Sequence, residues 1–324
     1  MSLSLTNISK SVDNKSVLRN VSFVVEEGEV FGVFGASGSG KSTLIDIIAG
    51  KQHPSSGIVE HNGVDVTKLT FNDRHFHLPA LTGRTNWRML FRADNRCVQS
   101  DGEGQRIALN AVFEDAENVL LLDNSFCNMD KSMRNQSFEK LRSVAKARRI
   151  AVIFASNDYE EMLLACDRVA ILVDGEVKQI GVPQEVYEFP KHAAVARAVE
   201  CDNFFFARRL TSSKAELPEY QTIDGEHRLF TRKVQFKEIA PLNQNVTLAI
   251  RPEHISIAFG ASFPEDNLLK ATVTQIRFLG PTTLVEFDSD GLRLQAMVLR
   301  VVGLKLGDEC MIGLPPDRIQ IFKD

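Results

Sequence analysis

Long hydrophobic runs are missing from this sequence; none approaches the ~20 residues that a membrane-crossing helix needs. An excess of positive charge is missing too, with 38 Lys and Arg against 42 Asp and Glu and a formal net charge of −4. That balance lacks the basic footprint of a nucleic-acid binder, so no nucleic-acid partner is expected. The five cysteines (Cys97, Cys127, Cys166, Cys201 and Cys310) are scattered and form no CxxC pair. They read as buried thiols of a reduced, cytoplasmic protein rather than a disulfide framework or a zinc knuckle. The opening Met1-Ser2-Leu3-Ser4-Leu5 lacks the basic start and apolar block of a secretory signal. Any work at a membrane is therefore expected to be peripheral, on its inner face, docked to the helices of another chain.

What remains is ordinary for a globular protein: 324 residues, 44% apolar and 25% charged, enough for two domains with separate cores. The first half alternates strand and helix patterns. Leu3 to Ile8, Val21 to Val25 and Val30 to Phe34 read as strands, and Ser42 to Ala49 as a helix stopped by Gly50. Val119-Leu120-Leu121-Leu122 and Ile150 to Phe154 are short and continuously apolar, the pattern of fully buried parallel strands. Lys131 to Arg149 between them reads as a charged helix, and Arg168 to Val173 as a strand turned by Asp174-Gly175. From about residue 206 the character changes to short strands with turns at Asp224-Gly225 and Asp290-Gly291. The predicted division is an α/β domain over 1–205 and a small all-β domain over 206–324. Within the second, Ala249 to Ile257 and Glu309 to Phe322 read as equivalent halves of two small barrels.

Gly35-Ala36-Ser37-Gly38-Ser39-Gly40-Lys41-Ser42 fits G-x-x-x-x-G-K-[ST] directly after a strand and directly before a helix. Glycines let backbone N–H groups turn inward around phosphates, and the helix N-terminus adds partial positive charge. Lys41 is expected on the β- and γ-phosphates and the Ser42 hydroxyl on Mg²⁺. Asp123, at the C-terminal tip of an apolar strand, is placed to hold the magnesium water shell. Its plainer use is as a turn former or helix cap. The histidines His53, His61, His75 and His77 have neither cysteines nor paired acids beside them, so they read as poor metal ligands.

From these motifs the chain resembles the ATP-binding-cassette (ABC) ATPases of importers, over nearly its whole length. Gly35 to Thr43 resembles their Walker A loop, Leu120 to Asp123 their Walker B strand, and Asn128-Met129-Asp130 their D-loop with Asp130 retained. Ala249 to Ile255 and Phe278 to Thr283 are similar to the family's TOBE domain. The resemblance implies a RecA-like P-loop NTPase cassette followed by an OB-like TOBE domain, with ATP and Mg²⁺ as cofactors. It also implies transmembrane permease subunits as partners and a dimer, with a second copy or with another ABC ATPase.

The departures matter more. Val12 stands where the family stacks adenine on an aromatic residue. Gln99-Ser100-Asp101-Gly102-Glu103 aligns with the signature loop, placing Asp101 on a glycine and a second acid at Glu103. Like charges facing a bound phosphate weaken its grip. Asn124 takes the catalytic glutamate position, and an amide cannot accept the proton of an attacking water. Asn157 takes the switch-histidine position, and His77 aligns with the lid-loop glutamine that supports the metal. Ser100 follows His77 much sooner than in the family, so the helical subdomain is expected to be shortened. What remains carries Arg84, Arg88, Arg92 and Arg96 on one helix face opposite Trp87, Leu90 and Phe91, either a docking helix or a solvated face.

The expected function is an importer subunit that binds Mg·ATP with weak or absent hydrolysis. Two alternatives stay open: an active ATPase with rearranged groups, for instance Asp158 as base, and an ATP-gated ligand-sensing module. For cargo, Asn203-Phe204-Phe205 and Asp290 to Ala296 resemble the molybdate or tungstate branch, with iron and polyamine tails nearly as close.

Overall fold

The computed structural model describes residues 2–79, 101–116, 118–127, 129–211, 217–232, 241–258, 267–300 and 303–323; of 101–105 and 107–108 it describes the backbone alone. The chain forms two compact units, 1–190 and 191–324. The expected boundary after residue 205 falls inside strand Asn203–Arg209, which belongs wholly to the second unit.

The first unit holds two sheets around one helix. An antiparallel sheet is built from β1 (Ser2–Val12), β2 (Lys15–Glu26), β4 (Ser56–His61) and β5 (Val64–Asp65), in the order β2-β1-β4-β5. The second sheet runs β6-β7-β3-β8-β9, from β3 (Val30–Phe34), β6 (Val119–Asp123), β7 (Ala151–Ser156), β8 (Arg168–Val173) and β9 (Glu176–Gly181). Its first four neighbours pair parallel and β9 closes it antiparallel. Every residue of β3 and β7 is buried, as continuously apolar strands between covered faces must be.

Helix α1 (Lys41–Ala49) follows β3, and its Leu44, Ile45, Ile47 and Ile48 share one core with both sheets. The short α2 spans Phe71–Arg74, α3 Asp101–Asp115, α4 Lys131–Arg148 and α5 Tyr159–Ala165. β3 lies between β7 and β8, so the chain leaves it on one side and later returns on the other. Ligands of open α/β sheets bind in the crevice that such a reversal leaves at the strands' C-terminal ends.

The second unit begins with a short helix, α7 (Ala193–Ala198; α6 is Pro183–Glu188 in the first unit), and continues as two five-stranded antiparallel sheets. The first contains β10 (Asn203–Arg209), β11 (Glu219–Thr222), β12 (Arg228–Phe230), β13 (Asn245–Ile250) and β19 (Gln320–Phe322). The second contains β14 (Ser256–Ala258), β15 (Asn267–Phe278), β16 (Thr283–Ser289), β17 (Leu292–Val298) and β18 (Glu309–Leu314). Both sheets pack on a single core rather than two, but the two segments read as halves of two small barrels are equivalent in path. Each runs strand, proline-led 3-10 turn, strand, over β13–β14 and β18–β19, and crosses from one sheet to the other. They exchange partners, β13 pairing with β19 and β14 with β18.

Asn203 and Gln295, both within the stretches compared for cargo, prove structural. Asn203 is buried and bridges the sheets, its amide donating to Gln295 O at 2.8 Å and accepting from Gln295 N at 2.7 Å.

Candidate functional site

The loop between β3 and α1 is held by close approach. A Cβ on Gly35 would lie 2.3 Å from the Leu172 carbonyl of β8, which only glycine permits. Gly40 takes φ 105° and stands at the N-cap of α1 with no side-chain cap, so the first-turn N–H groups of a nine-residue helix face the loop. Lys41 is 6% exposed, and its ammonium donates to the carbonyls of Gly35 at 2.6 Å and Ala36 at 2.9 Å. Burial lowers its pKa against the opposing charge of Asp123. Asp123, at the tip of β6, is pushed up by burial, while a hydrogen bond from Ser42 and the charge of Lys41 pull it down. Lys41, Ser42 and Asp123 thus form one electrostatic group. The buried Ser39 hydroxyl has no protein partner.

A pocket of about 220 Å³ opens over this group, lined by Val17, Ser37, Gly38, Gly40, Lys41, Ser42, Thr43, Asn124 and Asn157. Asn124 sits at φ 46°; its backbone N–H donates to Ala155 O at 2.9 Å and its side-chain amide to Asp123 Oδ1 at 3.1 Å. Asn157 is exposed on the turn that follows β7. The loop's turned N–H groups, a lysine and a Ser–Asp pair suit a polyphosphate with a divalent cation. Two neutral amides, Asn124 and Asn157, complete the wall.

The structure brings Gly35 to Thr43, Asp123, Asn124 and Asn157 together. Other expected residues lie elsewhere. Val12 is 44% exposed beside the Asp13-Asn14 turn that joins β1 to β2, and it is Val17 that lines the pocket. The pocket lining does not include His77. Its backbone donates to Val119 O and accepts from Leu121 N, both at 2.8 Å, as a one-residue parallel bridge beside β6. Asp130 caps α4 by accepting from Met133 N at 2.8 Å. Asp101 and Gly102 open α3. Ser100, Asn128 and the residues from Arg84 to Arg96 lie outside the described residues. Among the described residues no three His, Cys, Asp or Glu side chains gather as a metal cluster. His61 stands edge-on to Phe76 with ring centroids 5.1 Å apart.

Sheet order, loop and pocket define a P-loop nucleotide-binding cassette, followed in sequence by an all-β unit. Comparison with known proteins gives both a family. The ABC transporter family matches residues 18–86, and the TOBE domain matches residues 248–322. The chain is thus similar to ATP-binding-cassette proteins in its first unit and to TOBE domains in its second. Its relatives include the spermidine/putrescine import ATP-binding protein PotA of Haemophilus ducreyi, 28% identical over 90% of this chain and 87% of that one. The Hahella chejuensis protein of the same name is 27% identical over 86% of this chain and 85% of its own length. That of Aliivibrio fischeri is 31% identical over 63% and 64%. The ABC match stops at residue 86, ahead of every position at which the signature loop, the water base and the phosphate sensor are expected.

Proposed function

We propose that this chain is the ATP-binding subunit of an importer, binding Mg·ATP and docking on membrane-embedded permease subunits, with weak or absent hydrolysis of its own. The observation that carries the reading is the pocket itself, an intact phosphate loop facing Asn124 and Asn157. Gly35 to Thr43 would hold the phosphates and Lys41 would neutralise them; Ser42 and Asp123 would hold Mg²⁺, which supplies charge neutralisation when bound. Asn124 can hydrogen-bond a water but cannot take its proton, and its amide already donates to Asp123. Asn157 offers a hydrogen bond where an imidazole would offer a charge.

Asp158 is a poor substitute base. It caps α5 by accepting from Glu160 N at 2.9 Å and lies 3.4 Å from Arg134. Among the described residues no helix is long and apolar enough to cross a membrane, in keeping with a docked rather than spanning subunit. The relatives are named for spermidine and putrescine, so polyamine replaces oxyanion as the cargo class we carry forward. A dimer would place each signature segment, with Asp101 and Gly102 after Ser100, at a partner's nucleotide; an intact partner would supply a better one.

Retention of labelled ATP by the full chain, with Lys41→Ala as control, tests the reading. The wild-type chain is expected to hold ATP with Mg²⁺ and the variant to lose it. A wild-type chain that retains no more than Lys41→Ala overturns the proposal.

A further inference from the structure

The polar wall of the pocket is tied from behind. Asn157 lies between Ser156 and Asp158; Ser156 is held directly by Glu161, a carboxylate only 5% exposed in the first turn of α5, and Asp158 indirectly, through Ser156 and Arg134. The Ser156 hydroxyl donates to Glu161 and accepts the backbone N–H of Asp158 at 3.1 Å. Arg134 of α4 reaches Glu161 and Asp158, each at 3.4 Å, and Lys131 of the same helix pairs with Glu160 at 2.6 Å. α4 starts at the Asp130 cap, on the chain that leaves the Asn124 turn. Burial raises the pKa of Glu161, with Ser156 and Arg134 acting against it. Keeping such a group inside is costly unless its hydrogen bonds are made, and here every one of them goes to the loop that carries Asn157 or to the helix behind it.

Val17 on β2 gives the pocket an apolar wall, and Lys41, Asn124 and Asn157 line it as well. On the nucleotide reading, the loop and Lys41 take the first two phosphates, which leaves Asn157 for the third.

We infer that Glu161, acting through Ser156 and Arg134, is a positioning residue that holds Asn157 toward the terminal phosphate and so sets a preference for ATP over ADP. This rests on the nucleotide reading of the pocket given above. A fixed amide costs no reordering when the phosphate arrives, whereas a loose one must be ordered first.

The test is the ratio of ADP to ATP dissociation constants for the full chain with Mg²⁺. In Glu161→Ala, ATP binding is expected to weaken about tenfold and ADP binding by less than about twofold, the value of one hydrogen bond lost at the third phosphate. Glu161→Gln, whose amide oxygen still accepts from Ser156, is expected to keep the wild-type ratio. If Glu161→Ala does not fold, Ser156→Ala removes the hydroxyl that links carboxylate and loop, and the same loss of preference is expected. A purely structural carboxylate would weaken ATP and ADP together; that outcome, an unchanged ratio in Glu161→Ala, or no preference in the wild type overturns the inference while the site reading stands. A wild-type chain that binds neither nucleotide overturns both.

Discussion

Asn124 combines two effects in one side chain. It offers no proton acceptor strong enough to act as a base at the end of β6, and its amide donates to the Asp123 carboxylate at 3.1 Å. Asn157, on the neighbouring strand end, is a second neutral amide. If these two amides are what limits the chemistry, an acid and an imidazole in their place should reveal it. The double variant Asn124→Glu, Asn157→His is expected to raise phosphate release by about 10²-fold or more at saturating ATP, the usual contribution of a positioned acid–base group. A double variant that binds ATP yet releases phosphate no faster than wild type places the defect elsewhere, with the signature segment as the next suspect.

The residues of the loop, Asp123, Asn124 and Asn157 were legible because each is tied to a short pattern whose spacing the backbone enforces. Val17, which lines the pocket, was not. Register shifts between Leu5 and Ser11 interrupt the alternation of the β1–β2 hairpin, and no local pattern encodes them. Val17 carried only the alternation of Val17 and Leu18 with polar neighbours as a signal. Glu161 showed no signal in sequence, since its value lies in side-chain contacts with Ser156, just before its helix, and with Arg134 on another helix.

At the scale of elements, charge and turn chemistry explain most of what the sequence revealed. The Asp174-Gly175 and Asp290-Gly291 turns join adjacent strand ends with two positive φ values each, the arrangement that tight hairpins require. Asp13-Asn14 and Asn62-Gly63 make the same turn and could have been read by the same rule. His77 was less legible, because a single bridge beside β6 depends on a neighbour's edge rather than on any run of its own. α4 is a polar helix with only Ser137, Phe138, Leu141 and Ala145 buried, so its ends matter to it. Asp130→Ala removes the acceptor for Met133 N and is expected to cost about 1 kcal/mol in unfolding free energy, read by urea titration. A loss below ~0.3 kcal/mol would show that Asp130 is not held for its cap.

For the whole molecule, alternating α/β pattern followed by short strands was enough to give the order of the two units. The boundary was harder. Residues 191–205 carry a short helix and the start of β10, whose pairing with β13 is a contact across some forty intervening residues. Long-range pairing of this kind leaves no trace in local composition. Each unit has its own core.

On the proposed reading the chain grips ATP and scarcely breaks it. Steady-state phosphate release by the purified full chain, at ATP concentrations shown by binding to saturate it, measures this directly. The expected turnover is below about 0.1 s⁻¹, a hundredfold under the ~10 s⁻¹ of a median enzyme, with the bound nucleotide recovered as ATP. Release at ~10 s⁻¹ that disappears in Lys41→Ala would contradict it.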